Sequence, residues 1–287
     1  MLVLFPSDYF DIKSIDAEYQ NEYEALCRLT NADILIFNYD NFVAGKKLKL
    51  TPGDYYHGLC IYRGWMLTPS LYIKLYNALL DQGIILINSP EQYSACHLFP
   101  AVRDELGLDT PASLIYANGT PIDWDEVNRK FKRFMIKDYV KSVKGTGFPS
   151  FFETPVNEDQ IAKYVDEFID LRGSLFTGGF VIKEYLDFKR YGQCTNEYRA
   201  YFLYGQLVSL SPNSNQPDAC SYVPMEFVNR FNSLNSNYYT VDFGELSDGR
   251  WIVIETGDGQ VSGLSPNQMV FKYYEEMKRI LESRSNK

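Results

Sequence analysis

Tyr239-Thr-Val-Asp-Phe-Gly-Glu-Leu-Ser-Asp-Gly-Arg-Trp-Ile-Val-Ile-Glu-Thr-Gly-Asp-Gly-Gln-Val-Ser-Gly263 decides how the rest of this 287-residue chain is read. Two apolar runs, Val241 to Leu246 and Trp251 to Ile254, flank Ser-Asp-Gly-Arg. Gly249 can take the positive φ of a tight turn, so the pattern predicts a β-hairpin. Pairing about Asp248 and Gly249 sets Asp242 beside Glu255 on neighbouring strands, where like charges repel. A divalent cation between them would remove the repulsion, and hard oxygen ligands suit Mg²⁺ that nucleotide phosphates also hold. The same spacing fits two unrelated acids on a solvated strand face.

Upstream lie two strands of similar design, Arg133-Phe-Met-Ile-Lys137 and Gly179-Phe-Val-Ile-Lys183. A lysine that closes an apolar run is costly unless an anion meets it, and the α- and β-phosphates of a nucleotide are such anions. Either lysine alone also fits a strand-end side chain reaching water along its stem. Glu184, Tyr185 and Leu186 leave the second strand with backbone groups suited to an adenine edge, and Asp187 can accept from ribose hydroxyls. Lys141-Ser-Val-Lys144-Gly145-Thr-Gly147 suits a loop closing over phosphates, and equally an ordinary exposed turn. Arg199, within Glu197-Tyr-Arg-Ala-Tyr-Phe202, can neutralise a transferring phosphoryl group or pair with an acid across the strands.

Composition excludes several classes. A net charge of −9 argues against non-specific nucleic-acid binding through a broad basic face. Five cysteines with no Cys-x-x-Cys pair read as free thiols in a reducing compartment. His57 and His97 are the only histidines, too few for a histidine metal cluster or a Ser-His-Asp triad. Met1 to Asp8 has no basic segment and is broken by Pro6, so it is expected as a first strand and not a signal peptide. No apolar run approaches membrane-spanning length, and the expected location is cytoplasmic.

The first part alternates strand-like runs (Leu2 to Phe5, Ile34 to Asn38, Leu59 to Tyr62, Ile84 to Ile87) with helix-like ones (Asp16 to Leu29, Thr68 to Gln82). Thr68 as cap, Pro69 as first residue and Gly83 as stop mark the second helix, and a buried strand after it predicts a parallel βαβ unit. After Thr110 strands dominate: Ala112 to Tyr116, Phe134 to Val140, Gly179 to Phe188, Tyr198 to Tyr204 and Leu207 to Leu210. Helices are expected over 157–171, 224–234 and 267–282, the last with Met269, Tyr273, Met277 and Ile280 on one apolar face. The expected class is α/β plus α+β, with domains over 1–110 and 111–287 and the second divided near residue 190.

In order, the chain gives Lys137, a glycine-containing loop, Lys183 to Asp187, Glu197-x-Arg199, Asp242 and Glu255-Thr-Gly-Asp258. That order resembles the ATP-grasp superfamily over residues 111–287. Tyr62-Arg-Gly-Trp65 and Glu197 to Phe202 look closest to a group of small bacterial and phage members. A more distant similarity is to the eukaryotic cell-division-cycle protein that helps assemble translation initiation factor 2. The resemblance implies a two-subdomain ATP-grasp fold behind an α/β pre-ATP-grasp domain. It matches Lys137 and Lys183 to the nucleotide lysines, Glu184 to Leu186 to the hinge against adenine, Asp187 to the ribose acid, and Asp242 and Glu255 to the magnesium ligands. Many relatives follow the second acid with x-Asn, whereas Gly257 stands here with Asp258 after it. Either Asp258 supplies the third ligand from one position later, or a second metal is held more weakly.

The implied activity is an ATP- and Mg²⁺-dependent, ADP-forming ligase that joins a carboxylate to an amine through an acyl phosphate, with Arg199 assisting. The acceptor is an amino acid, a peptide or a protein, and Arg63 and Arg103 are candidate carboxylate anchors unless they serve surface or ion-pair roles. The alternatives are an ATP-binding assembly factor and a phosphotransferase.

Overall fold

Apolar runs separated by helix-length crossovers form parallel strands, and that is how the chain begins. In the computed structural model, which describes residues 1–53, 56–143 and 145–285, the first sheet holds β1 (Leu2–Pro6), β2 (Asp33–Phe37), β3 (Leu50–Thr51), β4 (Gly58–Tyr62) and β5 (Ile84–Leu86) in the order β3-β2-β1-β4-β5. All pairings are parallel except that of the short edge strand β3. Helix α1 (Gln20–Cys27) makes a crossover, α2 (Tyr39–Val43) links β2 to the antiparallel β3, and α3 (Pro69–Leu80) makes the crossover from β4 to β5. Thr68 caps α3 by accepting from the Leu71 amide, and Pro69 opens it as expected. The strand at Ile84, expected to be buried throughout, is an edge strand: only β4 flanks it, and Ile85 is 44% exposed.

Two helices not foreseen follow, α4 (Pro90–His97), opened by a capping box between Ser89 and Gln92, and α5 (Phe99–Leu106). The strand-rich remainder builds two antiparallel sheets. β6 (Ser113–Ala117), β7 (Arg133–Asp138), β8 (Phe152–Glu153) and β9 (Gly179–Glu184) lie in the order β6-β9-β7-β8. Helices α6 (Trp124–Lys130), which was not foreseen, and α7 (Glu158–Arg172) cover one face through Val127, Ile161 and Phe168. A small ribbon, β10 (Arg190–Tyr191) and β11 (Cys194–Thr195), leads to β12 (Glu197–Leu203), β13 (Gln206–Pro212), β14 (Tyr238–Glu245) and β15 (Trp251–Asp258), ordered β13-β12-β14-β15. The class is the α/β plus α+β arrangement expected from the sequence.

Around this last sheet, α8 (Met225–Asn229) is shorter than expected, and α9 (Val270–Ser285) begins late, leaving Met269 61% exposed. Tyr273, Met277 and Ile280 do form the buried stripe of α9, packed with Phe5 of β1 and Tyr201 of β12. β9 also stops short of Phe188: the Tyr185 amide makes a last bond to the Arg133 carbonyl, and the chain then crosses to the other sheet, where Phe188 bridges Leu246. Among the described residues no helix is long and apolar enough to cross a membrane.

Gly179 shows how tightly the small sheet is closed. Its φ is +149°, and a Cβ there would sit 2.2 Å from the Tyr116 carbonyl oxygen and 2.7 Å from the Asn118 nitrogen. Gly179→Ala is expected to cost about 2–4 kcal/mol of stability, read by denaturant unfolding.

Candidate functional site

The opening hairpin forms as read, with Asp242 directly opposite Glu255. The register shifts between Asp242 and Phe243, which leaves Ile254 as the extra residue of a β-bulge. The Ile254 carbonyl is thereby turned out of the ladder and accepts a bond of 2.7 Å from Lys183 Nζ. On the other side of Asp242, Arg199 stands in register on β12 and holds the carboxylate with two bonds, 2.7 Å from Nε and 2.6 Å from Nη2. Its Nη1 donates to the Gly263 carbonyl at 2.7 Å. Arg199, Asp242 and Glu255 thus form a row across three neighbouring strands.

The second half of the site comes from the small sheet. Met135 pairs with Lys183 and Lys137 with Val181, so the two lysines are diagonal neighbours on one face of β7 and β9. Both are buried, and the Phe99 ring of α5 lies beneath them, 5.8 Å from Lys137 Nζ and 4.5 Å from Lys183 Nζ. Glu255 closes the group, with Lys137 Nζ at 3.8 Å and Lys141 Nζ at 3.3 Å. Burial, and then the nearby Lys137 charge, push the Lys183 ammonium well below its ordinary pKa. Two buried ammonium groups against a single half-buried carboxylate make a site that favours an anion.

Further out, Tyr185 stacks on Phe151 with centroids 4.6 Å apart, and the Arg133 guanidinium lies over both rings, 5.5 and 5.6 Å from their centroids. Asp187 is exposed and paired with Arg133 at 2.5 Å. The Glu184 amide is already bonded to the Ala112 carbonyl, and Leu186 is half-buried beside it. Gly145 is exposed with φ +74°, while Lys144 lies outside the described residues. Arg133, Phe151 and Phe99 were not read as site residues. Arg133 carries a signal, since Arg133, Met135 and Lys137 alternate onto one strand face. Phe99 carries none, because a fold contact brings it there.

The structure sets Asp258 apart from the other two acids. It lies an odd number of residues from Glu255 along β15, and so points to the opposite face. There it is fully buried, accepting from Asn88 Nδ2 at 2.5 Å and from the Gln260 amide at 2.9 Å. Burial lifts its pKa to about 7 against those bonds. Nor do the two arginines anchor a carboxylate. Arg63 is wholly buried, with Nε and Nη2 on Glu22 and Nη1 on the Gly259 and Ser262 carbonyls. Arg103 is exposed and pairs with its neighbour Asp104.

His97 is buried against Tyr93, and burial, helped by the Lys141 charge, lowers its pKa from 6.5 to about 3. The folded protein therefore refuses a proton that the unfolded chain accepts between those values. The stability this gives is full above pH 6.5 and fades as pH falls toward 3. Asp258 acts in the opposite sense, its contribution being full below 3.8 and lost as pH rises through about 7. His97→Phe is expected to flatten the fall in thermal midpoint between pH 7 and 4 relative to the wild type, and an unchanged slope would contradict this assignment.

Among the described residues no three of His, Cys, Asp and Glu cluster as a protein-only metal cage. Asp242 and Glu255 are nevertheless a fitting pair for Mg²⁺, which takes one or two carboxylates and completes its octahedron with water and phosphate oxygens. Gly257, two residues past Glu255, is closely packed: a Cβ would meet Ser262 Oγ at 2.8 Å and Thr240 Oγ1 at 3.0 Å, so one of these hydroxyls would have to move.

Residues 124–277, which contain this whole row of lysines, arginine and acids, match a family model of the ATP-grasp domain, the third family of its clade. The chain belongs to the ATP-grasp superfamily. No curated protein matches the sequence. Solved structures share the fold over nearly the full ATP-grasp chain. D-alanine–D-alanine ligase from Bacillus anthracis, solved with ATP, is 15% identical with a TM-score of 0.58, over 98% of this chain and 95% of that one. D-cycloserine synthetase DcsG is 12% identical with a TM-score of 0.63, over 98% and 100%. The ligase PsnB, solved with a minimal precursor, Mg and ADP, is 12% identical with a TM-score of 0.55, over 97% and 98%.

Proposed function

We propose that the chain is an ATP- and Mg²⁺-dependent ligase that joins a carboxylate to an amine and forms ADP. The observation that carries this is the pair of buried ammonium groups, Lys137 and Lys183, beside Glu255, which is register-matched to Asp242. Lys137, Lys183, Lys141 and the loop at Lys144 and Gly145 would hold the phosphates. Glu184 to Leu186 would meet the adenine edge and Asp187 the ribose once Arg133 releases it. Bound Mg²⁺ would draw charge from the phosphates, with Asp242 and Glu255 as its protein ligands. Residues 1–110 would supply the acceptor side, with 111–287 as the ATP-grasp unit. The fold neighbours support the reading, two being ligases and one a synthetase by name.

Chemically, a substrate carboxylate oxygen would attack the γ-phosphorus while the bond to ADP breaks and ADP leaves with the electron pair. An amine would then attack the acyl carbon, forming C–N as the C–O bond to phosphate breaks and the amine proton passes to water. Arg199 sits one strand from Asp242 and two from Glu255, where its charge would offset that of the transferring phosphoryl group. Gly257, which offers no side-chain ligand two residues past Glu255, favours a second reading, an assembly factor that binds ATP without turning it over. Incubation with ATP, Mg²⁺ and mixed amino acids and amines separates the readings. ADP and phosphate formed only with an acceptor support the ligase, binding without turnover supports the assembly factor, and phosphate retained on an acceptor identifies a phosphotransferase.

A further inference from the structure

Between the first sheet and the β12–β15 sheet opens a cleft of about 580 Å³, within the range of small-molecule sites. Its lining includes Lys141, Thr256 and Gly257, beside Glu255, and so borders the place proposed for the γ-phosphate. It also includes Glu18, Tyr19 and Trp65. The Tyr19 and Trp65 rings meet at 79° with centroids 5.6 Å apart, making two walls of a corner. This corner is held in place. Trp65 Nε1 donates to Asp16 Oδ2 at 2.9 Å, and the Trp65 carbonyl accepts from the Tyr62 hydroxyl at 2.7 Å. A carboxylate on the indole N–H also enriches the ring in electron density, which strengthens its attraction for a cation.

The charges of the cleft point the same way. Of its acids, Glu22 is neutralised by Arg63, whereas Glu18 is exposed and has no ion-pair partner among the described residues. Its cation, Lys141, is engaged by Glu255, and His97 is held neutral. A free α-amino acid needs a cation for its carboxylate. Of the two nearby guanidinium groups, Arg63 is held by Glu22 and two carbonyls, and Arg199, bonded to Asp242 and the Gly263 carbonyl, is assigned to the transferring phosphoryl group.

We propose that the Glu18–Tyr19–Trp65 corner is a cation subsite, and that the amine substrate carries a second positive charge and no carboxylate, as an alkyl diamine does. The inference rests on the ligase reading of the adjoining site. In it, one amine would be the nucleophile beside Gly257, while the other stays protonated between Glu18 and the two rings.

Calorimetric titration of 1,5-diaminopentane, 1-aminopentane and alanine tests this, in wild type and Glu18→Gln, each with and without Mg²⁺ and a non-hydrolysable ATP analogue. The diamine is expected to bind about tenfold tighter than either comparator, and Glu18→Gln is expected to reduce it to the level of 1-aminopentane. Alanine binding as tightly as the diamine, a diamine no better than the monoamine, or a Glu18→Gln variant with unchanged preference overturns the subsite. The analogue is titrated separately. If it binds while the diamine preference is absent, the subsite alone fails; if it does not bind, the ligase reading fails and the nucleotide-free arm still decides the subsite.

Discussion

Replacing Arg63 with methionine is expected to cost about 3–5 kcal/mol of unfolding free energy, a large part of the stability of an ordinary domain. Arg63 is 0% exposed and makes four bonds, two to Glu22 and one each to the Gly259 and Ser262 carbonyls. Glu22 is buried as well and also accepts from the Tyr274 hydroxyl of α9. Removing the guanidinium strands a carboxylate inside the protein and orphans two carbonyls of the loop after β15. The double variant Glu22→Met with Arg63→Met is expected to recover only part of the loss, because it removes the stranded charge but leaves those carbonyls unpaired. Chemical denaturation measures both. A single variant within about 1 kcal/mol of wild type, or a double variant less stable than Arg63→Met, would refute this account of the joint.

Lys183→Met is expected to act in two directions. Lys183 is buried, its pKa is driven down by burial and by Lys137, and its ammonium has the Ile254 carbonyl as hydrogen-bond partner. That charge burdens the empty fold, is offset in part by Glu255, and would be relieved further by an incoming anion. The variant should therefore melt no lower than the wild type while losing about 10- to 100-fold in affinity for an ATP analogue, the worth of one charge-assisted hydrogen bond. Loss of affinity together with loss of stability would mean that the lysine supports the fold and not the ligand.

Much of this site was legible because strand geometry is local. The turn at Asp248–Gly249 fixed the register, and the register brings Asp242 to Glu255. The two lysines stood out because a charge ending an apolar run is costly wherever it lies. What escaped depended on contacts between distant segments. Phe99 reaches the lysines only because α4 and α5 pack against β15, with Val181 of the small sheet in the same cluster, and the capping box of α4, Ser89 with Gln92, went unread. An ion-pair role was open for Arg63, but its partner Glu22, 41 residues away, could not be named. Asp258 looked like a ligand by proximity in sequence, but strand alternation turns it to the other face, and Asn88, 170 residues away, binds it there.

The central claim is that Asp242 and Glu255 make nucleotide binding depend on magnesium. Calorimetric titration of a non-hydrolysable ATP analogue into wild type and Glu255→Gln, with Mg²⁺ and with EDTA, tests it most directly. One analogue is predicted to bind per chain, about tenfold or more tighter with Mg²⁺ in the wild type and without that gain in Glu255→Gln. Equal affinity with and without Mg²⁺ in the wild type, or the same magnesium gain in Glu255→Gln, would contradict it.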